Sequence, residues 1–95
     1  MINGILLHKA DNVVTVTQAI EKGGTVVYLE DRVLRSTEAV EPIPEFHKIA
    51  IQDIACGADV VKYGERIGYA SKAILCGQHV HTQNVDNQQK GGSDL

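Results

Sequence analysis

The sequence has no tryptophan, one phenylalanine and three tyrosines. Four scattered aromatics (Tyr28, Phe46, Tyr63 and Tyr69) cannot build a base-stacking platform for single-stranded nucleic acid. Cations are also few: nine Lys and Arg stand against twelve Asp and Glu, net −3, with no basic run. Phosphate neutralisation needs clustered Lys and Arg, so nucleic acid is not an expected partner. No apolar stretch approaches the ~20 residues of a membrane-spanning helix, so no membrane is expected either. The start, Met1-Ile2-Asn3-Gly4, lacks the basic-then-apolar pattern of a signal peptide. Cysteine is limited to Cys56 and Cys76, one bridge at most, and without a secretory signal they read as reduced thiols of a cytoplasmic protein. There is no glycine-rich phosphate loop in a strand-to-helix context and no serine-centred elbow.

What is present fits one domain of 95 residues. A chain of this size buries only roughly 60–65% of its unfolded surface, so a partner or a homo-oligomer would add to its core. Residues 2–8 read as a short strand ending at His8. Asp11 or Asn12 is placed to cap a helix over about residues 12–22, with Val13, Val16 and Ile20 at helical spacing and Gly23-Gly24 as its stop. The β-branched run Val13-Val14-Thr15-Val16-Thr17 pulls the other way. Thr25–Leu29 and Arg32–Arg35 flank Glu30-Asp31 as a hairpin, and Pro42 and Pro44 punctuate a connection. Beyond them short strands are broken by glycines. Ile54-Ala55-Cys56-Gly57-Ala58-Asp59-Val60 and Ile74-Leu75-Cys76-Gly77-Gln78-His79-Val80 share the pattern I-x-C-G-x-x-V, two glycine turns each feeding a strand. The domain is expected to span 1–85, with 86–95 a flexible polar tail or linker.

Chemistry-bearing residues collect at a few places. On a strand, His79 and His81 point the same way and Val80 the opposite way, a spacing that suits two metal ligands or two hydrogen-bonding groups over one pocket. The same spacing also describes two imidazoles on a solvated strand face. His47-Lys48 can bind a carboxylate beside a pocket or simply face solvent at a strand start. His8 with Asp11 and Asn12 forms either a polar cluster or a strand end with a cap. Tyr63 can donate to a substrate or pack half-buried. Cys76, three residues before His79, offers a Cys–His nucleophile, against the commoner buried thiol.

In order along the chain stand Asp11-Asn12-Val13, Pro44-x-x-His47-Lys48-x-Ala50, Asp53-Ile54, Val61-Lys62-Tyr63-Gly64-x-x-Ile67-Gly68-x-Ala70 and Gly77-x-His79-Val80-His81-x-x-Asn84. That series, over roughly residues 5–85, resembles the SAF-type domain of the altronate and galactarate dehydratases, and equally the small (alpha) subunit of the sulfolactate sulfo-lyases. The resemblance implies a mainly β, β-clip fold of short bent hairpins with the one short helix near 12–22. It implies β-elimination from a hydroxylated acid, aided by a divalent metal, typically Fe²⁺, held mainly by a large catalytic subunit or domain that this chain completes. It implies catalytic roles for His47 and Lys48, substrate contacts from His8, Asp11, Asn12 and Tyr63, and metal contacts from His79 and His81. A β-clip module that binds a small acid or a protein without catalysis is the other reading. Two positions depart from the family pattern: Phe46 stands where Gly precedes His-Lys, and Gln83 stands where a third histidine often follows His79 and His81.

Overall fold

The β-branched run decides the first element. Val13–Val16 is a strand, β2, not the start of a helix, and among the described residues, 1–87, the computed structural model contains no helix. Val13, Val14 and Val16 are all almost fully buried, on alternating faces. Valine side chains lose rotamer freedom on a helix but pack well on a pleated surface, and here both faces of the strand are covered. Gly23 and Gly24 therefore sit in a chain reversal rather than at a helix end.

The other strands are β1 (Gly4–Ile5), β3 (Thr25–Glu30), β4 (Val33–Glu38), β5 (Lys48–Ala50), β6 (Asp59–Lys62), β7 (Glu65–Ala70), β8 (His79–Val80) and β9 (Val85–Asp86). They form an antiparallel sheet of order β1-β2-β5-β8, a two-stranded ribbon β3-β4, and a three-stranded sheet β6-β7-β9. The central sheet separates two small cores. On one face Val14, Val16 and Ile49 pack with Ile20, Val26, Tyr28, Ala39 and Ile43. On the other, Val13, Ala50 and Val80 pack with Ile54, Val60, Ala70 and Ile74. The β3–β4 hairpin turns at Asp31-Arg32, one residue later than its sequence implies, with both residues at positive φ (53° and 71°), the type I′ geometry that matches strand twist. Tyr63-Gly64 makes the same turn between β6 and β7. Of the polar segment expected from residue 86, Asp86 lies in β9, opposite Tyr69, and the part beyond Asn87 lies outside the described residues.

The two I-x-C-G-x-x-V segments prove to be half of a set of four. Ile20, Ile43, Ile54 and Ile74 each precede a reversal closed by a backbone bond: Gly24 N to Glu21 O at 2.8 Å, His47 N to Pro44 O at 3.0 Å, Ala58 N to Ala55 O at 2.9 Å, and Gln78 N to Leu75 O at 3.0 Å. The isoleucines themselves bridge in pairs, Ile20 with Ile43 and Ile54 with Ile74. The surrounding ladder repeats too. Gly23 N–H donates to Ala39 O and Ala39 N–H to Gly24 O; likewise Gly57 N–H donates to Ala70 O and Ala70 N–H to Ala58 O. The run β2-turn-β3-β4-turn-β5 is thus repeated as β5-turn-β6-β7-turn-β8, with β5 common to both copies.

Each reversal needs a left-handed residue at its third position, and the φ values there are 88° at Gly23, 65° at Phe46, 87° at Gly57 and 94° at Gly77. Glycine takes this conformation freely, whereas an L-residue pays about 1–2 kcal/mol. Phe46 bears that cost with its ring 66% exposed, so little packing compensates it. Phe46→Gly is expected to hold stability within about 1 kcal/mol of wild type or improve it, since relief of strain offsets the extra freedom of an unfolded glycine. Phe46→Val, β-branched at positive φ, is expected to lose about 1–2 kcal/mol. Thermal melts of the two variants check that Phe46→Gly is the more stable.

Candidate metal and acid site

The fourth reversal and the second are neighbours, because β5 pairs with β8. The register sets Ile49 opposite His79 and Lys48 opposite Val80. Alternation then puts His47, Ile49, His79 and His81 on one side, and Lys48 with Val80 on the other. The three imidazoles stack: ring centroids are 4.3 Å apart for His47 and His81, 5.1 Å for His47 and His79, and 5.5 Å for His79 and His81. One ring nitrogen from each lies within 4.8 Å of the other two. The third histidine of the cluster is therefore His47, from across the sheet, not a residue at position 83.

Surrounding groups fix this geometry. Glu41 Oε2 accepts the backbone N–H of His79 at 2.8 Å. Asn84 grips the same strand twice, accepting His81 N–H at 3.0 Å and donating to His79 O at 2.9 Å. Gln83 Nε2 donates to His79 O at 3.1 Å and faces His79 Nδ1 at 3.3 Å. His79 Nε2 lies 2.8 Å from His47 Nδ1, within hydrogen-bond distance.

Electrostatics favour uncharged rings. Loss of solvent pushes the pKa of His79 down first, and the neighbouring His47 and His81 push it further, against an opposing pull from Glu41. His81 is lowered by desolvation, then by His47 and Lys48. Neutral imidazoles carry the lone pairs that a transition metal needs. Three nitrogens on a half-exposed face fit a site of three protein ligands with an open position, as in catalytic zinc centres and the nitrogen-rich sites of other first-row metals. Metal–nitrogen bonds of about 2.0–2.1 Å require donor nitrogens about 3.3 Å apart, which small ring adjustments reach from this arrangement.

His8, Asp11, Asn12 and Tyr63 form a separate group whose visible work is structural. Asp11, 5% exposed, accepts three backbone N–H groups: His8 at 3.1 Å and Tyr63 at 2.8 Å on Oδ2, and Gly64 at 2.8 Å on Oδ1. Asn12, 8% exposed, accepts Val61 N–H and donates to Asp59 O, both at 2.9 Å. Together they fasten the β6–β7 hairpin to the chain entering β2. His8 lies against Gly64, and Tyr63 is 70% exposed at the hairpin tip. Asp11→Asn turns an acceptor into a donor facing an N–H, and is expected to cost about 2–3 kcal/mol in chemical denaturation. Cys56 and Cys76 are free and exposed rather than buried, one at each of two equivalent turns. Glu41, Asn84 and the contact of Gln83 with His79 emerge only in three dimensions. Asn84 alone had a signal, its fixed place three residues after His81.

Residues 2–88 match the altronate/galactarate dehydratase SAF domain. The chain belongs to that family. This SAF domain is 39% identical over 81 residues to the altronate dehydratase of Bacillus subtilis, covering 85% of the chain but 16% of that protein. It is 38% identical over 82 residues to the L-threo-forming galactarate dehydratase of Escherichia coli, covering 85% of the chain and 14% of that protein. With the (2R)-sulfolactate sulfo-lyase subunit alpha of Chromohalobacter salexigens it shares 36% identity over 89 residues, 88% of the chain and 94% of the subunit. The SAF domain thus spans about one-sixth of the dehydratases it matches and nearly all of the sulfo-lyase subunit. Its mainly β architecture agrees with the family, and its relatives are named as lyases. Among the described residues no helix is long and apolar enough to cross a membrane.

Proposed function

We propose that this SAF domain is the small component of a cytoplasmic lyase that eliminates water from a hydroxylated sugar acid, completing the active site of a larger catalytic chain or domain. The observation that carries the reading is the meeting of His47, His79 and His81, drawn from two strands, with donor nitrogens within 4.8 Å on an accessible face. These nitrogens would hold a divalent metal, Fe²⁺ in our reading, which when bound supplies Lewis-acid stabilisation of negative charge on a substrate oxygen. The chain's own residues orient that face: Glu41, Gln83 and Asn84 hold the backbone of the strand carrying His79 and His81. Lys48 adds positive charge next to the histidines. Groups fit to abstract the α-proton are too few on this chain for it to act alone, so the base belongs to the partner. His8, Asp11, Asn12 and Tyr63 serve by holding the hairpin in place.

A second reading, the alpha-type subunit of a sulfo-lyase releasing sulfite, is favoured by the 94% coverage of such a subunit. Two measurements test these together. Anaerobic titration of the 95-residue chain with Fe²⁺, and with Co²⁺ for its visible spectrum, is expected to show one site that His47→Ala removes. Mixed with a catalytic chain, the pair with Fe²⁺ is expected to dehydrate altronate or galactarate; sulfite release from sulfolactate instead selects the second reading. Metal binding unaffected by His47→Ala, with no turnover by the pair, overturns both.

A further inference from the structure

Next to the histidines lies an open cavity of about 460 Å³, within the range of small-molecule sites. Ile67 and Val85 form its apolar wall, and Lys48, His81, Thr82 and Asn87 line the rest with Asp86. Among the described residues the cation there has no ion-pair partner. Lys48 is half-buried, and the ion pairs among the described residues are Arg35–Glu30 and Arg66–Asp59, both elsewhere. Asp86, in the same lining, accepts the Tyr69 hydroxyl. Thr15, directly opposite Lys48 in the β2–β5 register and so on the same face, has a buried hydroxyl with no hydrogen-bond partner. A half-buried ammonium without an ion pair among the described residues, beside neutral donors and an apolar wall, suits an acceptor-only group on a small molecule, with Asp86 at the same rim held by Tyr69.

We propose that this cavity is a carboxylate subsite, in which Lys48 pairs with the carboxylate of a hydroxy acid while Thr82 and Asn87 donate to its oxygens. It deepens the functional reading above by placing the acid group of the substrate, and in that respect rests on it. His47 and Lys48, adjacent in sequence, then serve different ends: the imidazole joins the histidine cluster and the ammonium anchors the substrate in the adjoining cavity, which His81 also lines.

The test is a ¹H–¹⁵N NMR titration of the full 95-residue chain with gluconate, with sorbitol as its uncharged counterpart, and with inorganic phosphate. Gluconate is expected to shift the amides of Lys48, Thr82 and Asn87, and sorbitol to leave them in place. Lys48→Met is expected to weaken gluconate at least about tenfold and Lys48→Arg to keep most of the affinity, with Zn²⁺ still shifting the ring signals of His47, His79 and His81 in both. Should Lys48→Met unfold, Lys48→Gln carries the same comparison. Equal gluconate affinity in wild type and the Met or Gln variant, shifts confined to other residues, no shifts at all, or equally tight phosphate overturns the subsite. Failure of the metal reading is distinct: Zn²⁺ would leave the three imidazoles unmoved while gluconate still bound at Lys48.

Discussion

Gly77→Ala is expected to destabilise the domain by about 3–5 kcal/mol, while Gly23→Ala costs about 1–2 kcal/mol. The two glycines occupy the same position of equivalent turns, with φ of 94° and 88°. Forcing alanine into the left-handed region costs about 1–2 kcal/mol at either site. The space around them differs. A Cβ on Gly23 meets nothing within 4 Å, whereas one on Gly77 would lie 2.4 Å from the backbone oxygen of Glu38 and 3.1 Å from Val40 Cγ1. The Glu38 carbonyl belongs to β4 and cannot swing away without disturbing the bonds from Val40 N–H to Gly77 O and from Gly77 N–H to Ala50 O. Clash and strain together bring the loss to about 3–5 kcal/mol, a large part of the ~5–15 kcal/mol that holds a small domain. Chemical denaturation of both variants is the measurement. Equal losses would show that the backbone angle alone, and not the crowding by β4, governs these turns.

On the proposed function, replacing His79 and His81 together by alanine is expected to lower turnover of the pair with a catalytic chain by about 10²-fold or more. Changing groups that merely orient metal ligands commonly costs 10–100-fold, and the ligands themselves cost at least that. The fold is expected to survive, because both side chains are half-exposed and the bonds that hold their strand run through backbone atoms: His79 N–H to Glu41, His81 N–H to Asn84, and Asn84 to His79 O. Turnover, bound metal and the melting curve are measured on the same preparation. Wild-type turnover in the double variant would sink the idea that this face contributes to the shared site.

Much of this was legible in the chain, for reasons that differ by feature. Alternation made His79 and His81 co-facial with Val80 buried between them, and strand periodicity alone is enough for that. The helix over 12–22 failed because capping chemistry at Asp11 and Asn12 was weighed above a β-branched run. Those two side chains do satisfy backbone groups, but across the fold at residues 59–64 rather than at a helix end. His47 was singled out by its neighbour Lys48, yet its meeting with His79 depends on β5–β8 pairing over a separation of 32 residues. Nothing local encodes that. The repeat was seen only where cysteine and glycine coincided; Phe46 hid the copy at Ile43, because glycine is the usual mark of a conformation that Phe46 adopts without it.

The strand common to both repeats has a consequence for the order of events in folding. His47 stands at the end of the first repeat and His79 at the end of the second, so the imidazoles cannot meet until both turns and the β6–β7 hairpin between them have closed. Non-local pairings of this kind form late, because loop closure precedes their reward. The histidine cluster is therefore an internal witness of completion: a chain synthesised only through β7 would hold one imidazole of the three, and the full cluster would arrive with the final strands.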